Sequence, residues 1–270
     1  MLELENKTVV ITGGATGIGF ALAKACGREK ANIVIGGPNP DRLDEATAEL
    51  EQSGIAARSL PCDVRDFAQV EAFADFAFGA FGEVALVLNN AGIAQAPGPV
   101  AATPLNEVRQ VFDVNFYGVW HCCKAFTQRL ADQGRPAAIY NTGSENSYFV
   151  AVVKSAAYVA SKHAVYGLTD ALREEVPEFI HVGLITPGFV GTEIVPEGAR
   201  KLGMPVDDFA QRALPQIKAG TFYVVSHSYN QEHIDRRYEE VSNAFASYAP
   251  REDGDDQYDV RTLLRRLSSN

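Results

Sequence analysis

The chain has 270 residues, 46% hydrophobic and 21% charged, with a net charge of −10. That composition suits an ordinary globular fold, and the acidic balance argues against a nucleic-acid surface, which needs clustered Lys and Arg. Four cysteines without a Cys-x-x-Cys pair, and five histidines without ligand spacing, argue against a disulfide scaffold and against a metal site.

Met1 to Lys7 runs straight into a strand, with neither a basic start nor an apolar run. No signal peptide and no membrane partner are expected, and the cytoplasm is the expected compartment. Thr8 to Thr12 is a β-branched run with the length of a buried parallel strand. It enters Gly13-Gly14-Ala15-Thr16-Gly17-Ile18-Gly19, and an apolar helical pattern follows from Phe20. Strand, glycine turn and helix is the context of a dinucleotide fingerprint. Glycines let the backbone approach a pyrophosphate at the positive end of the helix. The spacing here is G-x-x-x-G-x-G, and a glycine turn can also be only a tight turn.

Asn32 to Gly36 predicts the second strand. A carboxylate at its end would bond a ribose 2′-hydroxyl and repel a 2′-phosphate. This chain reads Gly37-Pro38-Asn39-Pro40-Asp41-Arg42 instead. Glycine leaves space, and Asn39 and Arg42 offer a phosphate its partners, which favours NADP(H) over NAD(H). The bland alternative is a turn followed by a solvated helix residue. A helix over Asp41 to Gln52 follows, then a third strand from Ala57 to Cys62 that ends at Asp63-Val64.

Asp66 to Phe81 predicts a helix with one apolar face. Val84 to Leu88 is a fourth strand, closed by Asn89-Asn90-Ala91-Gly92. A long helical pattern over Pro104 to Gln133 contains Asn115, either a surface residue or the mark of a kink. Ala137 to Tyr140 predicts a fifth strand, ending in Asn141-Thr142-Gly143-Ser144. A helix over Ser155 to Val176 carries Tyr158 and Lys162, and Val182 to Ile185 leads into Thr186-Pro187-Gly188-Phe189-Val190-Gly191-Thr192. Gly220 to Val225 adds a seventh strand. Strands alternating with helices predict a Rossmann-type α/β fold, a doubly wound parallel sheet in three layers.

Tyr158 and Lys162 are four residues apart, on one face of their helix. An ammonium near a phenol favours phenolate, which predicts a tyrosine pKa lowered from about 10 toward the working range. Such a tyrosine can exchange a proton with a substrate oxygen. Chance alone supplies many such pairs.

Several motifs stand together in order: TGGATGIG (Thr12 to Gly19), NNAG (Asn89 to Gly92), Asn115, Ser144, YxxxK (Tyr158 to Lys162) and PGxVxT (Pro187 to Thr192). With them the chain resembles the short-chain dehydrogenase/reductase family over about its first 225 residues. The resemblance implies an NAD(P)(H)-dependent oxidoreductase that interconverts a secondary alcohol and a ketone. It implies Tyr158 as general acid/base, with Lys162 lowering its pKa and holding the nicotinamide ribose. Ser144 would bond the substrate oxygen, and Asn115 would hold a relay water through the backbone of its helix. Gly13, Thr16, Gly17, Ile18 and Gly19 would line the pyrophosphate and nicotinamide side. Asp63 and Val64 would meet the adenine, and Asn89, Ala91 and Gly92 the ribose. Pro187, Gly188, Val190 and Thr192 would pass the nicotinamide. Gln95, Glu145, Asn146, Phe189 and Glu193 are the substrate candidates.

The chain departs from the family at both ends of the substrate region. Gly143-Ser144 keeps one serine where a pair is frequent, and the family's terminal Asp-Gly-Gly is absent. We expect one domain over 1–270, with a substrate lid at 189–219 and a C-terminal extension at 226–270. The extension is loosely similar to that of bacterial lignin β-aryl-ether Cα-dehydrogenases, which leans toward a bulky or aromatic small-molecule substrate. A homodimer or homotetramer is expected. The competing readings are a 3-oxoacyl-carrier-protein-type reductase and a non-catalytic NADP-sensing protein.

Overall fold

The computed structural model describes residues 2–268. Seven parallel strands form one sheet in the order β3-β2-β1-β4-β5-β6-β7. The strands are β1 (Thr8–Thr12), β2 (Asn32–Gly37), β3 (Ala57–Pro61), β4 (Val84–Asn89), β5 (Ala137–Thr142), β6 (Ile180–Thr186) and β7 (Tyr223–Val225). β1, β4 and β5 are buried at every position, as their unbroken apolar runs require of strands covered on both faces.

Helices cover the two faces. α1 (Gly17–Arg28), α2 (Pro40–Gln52) and α8 (Val206–Lys218) share a core with Val9, Ile11, Ile33, Ile35, Leu86 and Leu88. The alternate strand residues point the other way, where α3 (Phe67–Phe81) puts Phe73 against the open Cα of Gly36. α4 (Leu105–Phe112), α5 (Gly118–Gln133) and α6 (Ala156–Glu175) join α3 in that layer, and the short α7 (Glu197–Arg200) precedes α8.

Strand order reverses at β1, which pairs with β2 on one side and β4 on the other. Such a switch point opens a crevice at the carboxyl ends of the strands, where open α/β folds bind ligands.

Two details differ from the sequence pattern. The long helix over 104–133 is interrupted by a π-helical turn, Asp113–Tyr117, centred on Asn115. The seventh strand starts only at Tyr223, because Gly220 (φ +73°) and Thr221 close the end of α8. Thr221 N–H bonds the Gln216 carbonyl at 3.2 Å. The chain divides into two compact units between His227 and Ser228. The second holds α9 (Asn230–Tyr248) and α10 (Val260–Ser268), with Val241 and Phe245 exposed on α9. Among the described residues, no helix is long and apolar enough to cross a membrane.

Candidate active site

The glycine turn is built by a strand end that crosses behind it. Asn90 Nδ2 donates to the carbonyls of Thr12 and Gly13, at 3.2 Å each. Thr12 Oγ1 accepts from Asn90 N–H at 3.0 Å and from Ala91 N–H at 3.2 Å. Gly13 and Gly17 take the left-handed conformation (φ +62° and +55°) that glycine adopts without strain. Thr16, the N-cap of α1, makes no side-chain cap bond, and no acid stands in the first turn. The positive helix end therefore faces the crevice uncompensated.

Gly19 lies one step behind that cradle. A Cβ there would overlap the Gly13 carbonyl oxygen and crowd Asn90 Nδ2 at 2.6 Å. Gly19→Ala is expected to displace the turn and weaken dinucleotide binding by at least about tenfold, measured by fluorescence titration of the reduced cofactor.

The catalytic candidates converge from three elements. Ser144 follows β5 and lines the same cavity as Tyr158, and its hydroxyl favours the ionised form of that phenol. Asn146 holds Ser144 in place, with its N–H and its Nδ2 each donating to Ser144 Oγ at 3.2 Å. Ser147 Oγ accepts from Ser144 N–H and donates to the Lys162 carbonyl at 2.8 Å, joining the β5 turn to α6. Gln95 Oε1 accepts from the N–H groups of Ala157 (2.9 Å) and Tyr158 (3.2 Å), so a loop residue caps the helix that carries the tyrosine.

Lys162 is buried, its Nζ donates to the Thr142 carbonyl at 2.8 Å, and it sits 5.7 Å from the centre of the Tyr158 ring. Burial pushes its pKa down to about 8. Asn115 is fully buried and its side chain is spent. Oδ1 accepts from Ile93 N–H at 2.8 Å, while Nδ2 donates to the Ile93 carbonyl (3.0 Å) and to Ser161 Oγ (3.2 Å).

The expectation that Lys162 lowers the Tyr158 pKa needs correction. In the protein alone burial holds the phenol above its ordinary value; the Ser144 hydroxyl acts against that, and the Glu145 charge adds to it. The Lys162 ammonium, still charged at neutral pH with a pKa of about 8, is not among the groups that set this balance.

All of this opens onto one cavity of about 420 Å³. Gly13, Thr16, Gly17, Ile18, Ala91 and Gly92 line it. Ser144, Tyr158 and Lys162 line it as well, as do Pro187, Gly188, Val190 and Thr192. All five substrate candidates line it too. Glu145 and Asn146 are buried, not parts of a solvated loop, because Glu145 N–H bonds the Pro187 carbonyl and Asn146 Oδ1 caps the N–H groups of Ala151 and Val152.

Other expected cofactor residues lie outside this lining. Asn89 points into the interior, donating to Asn141 Oδ1 at 2.8 Å. Val64 packs at the open Cα of Gly118, and Asp63 pairs with Arg65 at 2.5 Å. Asn39 Oδ1 is used as the cap of α2, accepting from Arg42 N–H at 3.1 Å, and the Arg42 guanidinium pairs with Glu193. Gly37 and Gly19 are likewise absent from the wall.

The sequence reading missed Asn90 as the side chain that fixes the turn. Strand alternation puts the two asparagines on opposite faces: Asn89 follows Val87, away from Leu86 and Leu88, and its amide is spent on Asn141. It also missed the apolar walls supplied by Ile93, Ala94, Pro97, Val152, Ile194 and Val195.

Residues 7–202 match the family model described as short chain dehydrogenase. The chain belongs to the short-chain dehydrogenase family. It is 32% identical over 248 residues to 1-deoxy-11-beta-hydroxypentalenate dehydrogenase of Streptomyces avermitilis, a match covering 89% of this chain and 92% of that protein. Among solved structures, it is similar to LigO in its apo form from Sphingobium sp. strain SYK-6. That match has a TM-score of 0.85 and 28% identity, and covers 98% of each chain. It also resembles a short-chain dehydrogenase/reductase of Burkholderia phymatum solved with NAD (TM-score 0.84, 28% identity, 93% of this chain and 99% of that one). The seven-stranded parallel sheet is thus that of a short-chain dehydrogenase, and the chain is an oxidoreductase of that family.

Proposed function

We propose that this short-chain dehydrogenase interconverts a bulky secondary alcohol and its ketone with a nicotinamide dinucleotide, preferring NADP(H). One observation carries the reading: the Ser144 hydroxyl, the Tyr158 phenol and Lys162 line the same cavity that the glycine turn also enters. The cradle suits the cofactor. At Gly92 a side chain would come within 3.3 Å of Asn115 Oδ1 and 3.6 Å of Lys162 Nζ, so the space beside them stays open. Thr192 approaches Gly17 to 3.4 Å of the position a Cβ would take, placing the Pro187–Thr192 turn against the glycine turn. When bound, the nicotinamide ring gives or accepts the hydride.

The protein's own groups manage the oxygen and its proton. In reduction, Ser144 donates a hydrogen bond to the ketone oxygen, and Tyr158 delivers the proton as that oxygen becomes alkoxide. In oxidation Tyr158 takes the proton back. Lys162 stabilises the phenolate left behind, on Coulombic grounds. Asn115 holds the Ile93 backbone and Ser161, which fixes the loop lining the cavity and the helix bearing Lys162. The apolar walls at Ile93, Pro97, Val152, Phe189, Ile194 and Val195 favour a bulky substrate body.

The cofactor preference rests on the end of β2, which presents no carboxylate and has Arg42 close by. Direct titration is expected to give a lower Kd for NADPH than for NADH; tighter NADH binding rejects this preference. A panel of cyclic and aromatic ketones, followed by nicotinamide absorbance, tests the reaction. No turnover of any member, with cofactor still bound, would favour a sensing protein on this fold.

A further inference from the structure

We propose that Glu193 is a cofactor-selectivity latch, whose carboxylate holds the Arg42 guanidinium that a cofactor 2′-phosphate must recruit. The inference rests on the proposed NADP(H) reading and adds a competitor to it. Arg42 lies in the first turn of α2, directly after the end of β2. That is where open α/β folds read the adenosine ribose, by a carboxylate for the hydroxyl or by an arginine for the phosphate. No carboxylate occupies the strand end, and a Cβ at Gly37 would meet only Leu43, at 3.9 Å. Asn39 is committed to capping α2. Arg42 is the cation at this end, with Glu45 on its own helix and Glu193 from across the crevice as the charges acting on it.

Glu193 is not an isolated surface acid. It lines the cavity, and Ile194, Val195 and Pro196 continue the wall. Its segment is tied down on the far side: Arg200 Nε donates to the Val195 carbonyl at 3.0 Å, and Gly191 N–H to the Met204 carbonyl at 3.0 Å. The Arg42–Glu193 pair therefore joins α2 to the wall over the cavity. A 2′-phosphate and Glu193 compete for one guanidinium. A dinucleotide with a free 2′-hydroxyl leaves the pair intact.

The pair is half-exposed, which limits its effect on affinity to about three- to fivefold and makes it sensitive to salt. Fluorescence titrations of Glu193→Gln and Arg42→Gln against wild type, with NADPH and with NADH, test the latch. Glu193→Gln is expected to tighten NADPH about three- to fivefold at low salt, while NADH stays within about twofold. Trypsin cleavage after Lys201 in the wild type is expected to be faster with saturating NADPH than with saturating NADH. If Arg42→Gln weakens NADPH but Glu193→Gln leaves the two cofactors unchanged or shifts them equally, the latch is overturned and the NADP(H) reading stands. If Arg42→Gln leaves NADPH affinity unchanged, that reading fails and takes the latch with it.

Discussion

Tyr158→Phe is expected to lower kcat by about 10²–10⁴-fold while the Kd of the reduced cofactor moves by less than about threefold. The change removes one hydroxyl, and with it the proton that reaches the substrate oxygen. The ring and its helix stay, because Gln95 caps α6 through backbone N–H groups that the substitution does not touch. Stopped-flow absorbance with any accepted ketone measures the first quantity, and fluorescence titration the second. Turnover within about tenfold of wild type would assign the proton to another group. The phenol is raised by burial, so alcohol oxidation, which needs the phenolate, should require a higher pH than ketone reduction.

Lys162→Met is expected to act on activity and stability in opposite directions. Removing the ammonium should cost about 10²–10³-fold in kcat/KM, the scale of losing one preorganised charged donor. The fold, however, suffers from that charge. Burial lowers the Lys162 pKa from 10.5 in the unfolded chain to about 8. Below pH 8 both states carry the proton, and the folded state bears the full penalty of the buried charge. As pH rises from about 8 to about 10.5 the folded state releases its proton first, and the penalty disappears. The shift is worth about 3 kcal/mol, and the unbonded Thr142 carbonyl in the variant takes back about 1 kcal/mol. The variant should therefore melt several degrees above wild type at pH 7, with the gap closing between pH 8 and pH 10.5. Burial raises three cysteine thiols from 9.0 to about 12, so they titrate in this range only in the unfolded chain, and the comparison must be between variant and wild type at each pH. A gap independent of pH would show that Lys162 is not charged in the folded protein at pH 7.

The strands were legible because parallel strands covered on both faces are written as continuous apolar runs of four to seven residues. The centre of the site was legible because its residues lie at strand ends or at one helical spacing. Ser144 follows β5, and Tyr158 and Lys162 share a helix face. What escaped was pairing over long sequence separation. Nothing near Gln95 announces that it caps a helix beginning at Ala156. Nothing near Arg42 announces Glu193. A kink at Asn115 was one of the readings the sequence offered, but its π-helical form and its cause were not legible. Asn115 looks like any mid-helix asparagine until Ile93 and Ser161 are brought beside it. The pKa of Lys162 is set by burial, which no spacing rule contains.

The hydrogen bonds around Tyr158 and Lys162 run to residues 95, 115, 142 and 147, all outside the helix that carries the pair. The site therefore has no local precursor. An isolated α6 would present the right side chains at the right spacing and position none of them. The geometry comes into being only when β4, β5 and the loop after β4 have all docked, so gain of activity on refolding reports completion of the sheet. Evolution of a new substrate preference faces the same wiring: the apolar walls can change freely, but Gln95 and Asn146, which also line the cavity, cannot be exchanged without loosening the helix or the serine they hold.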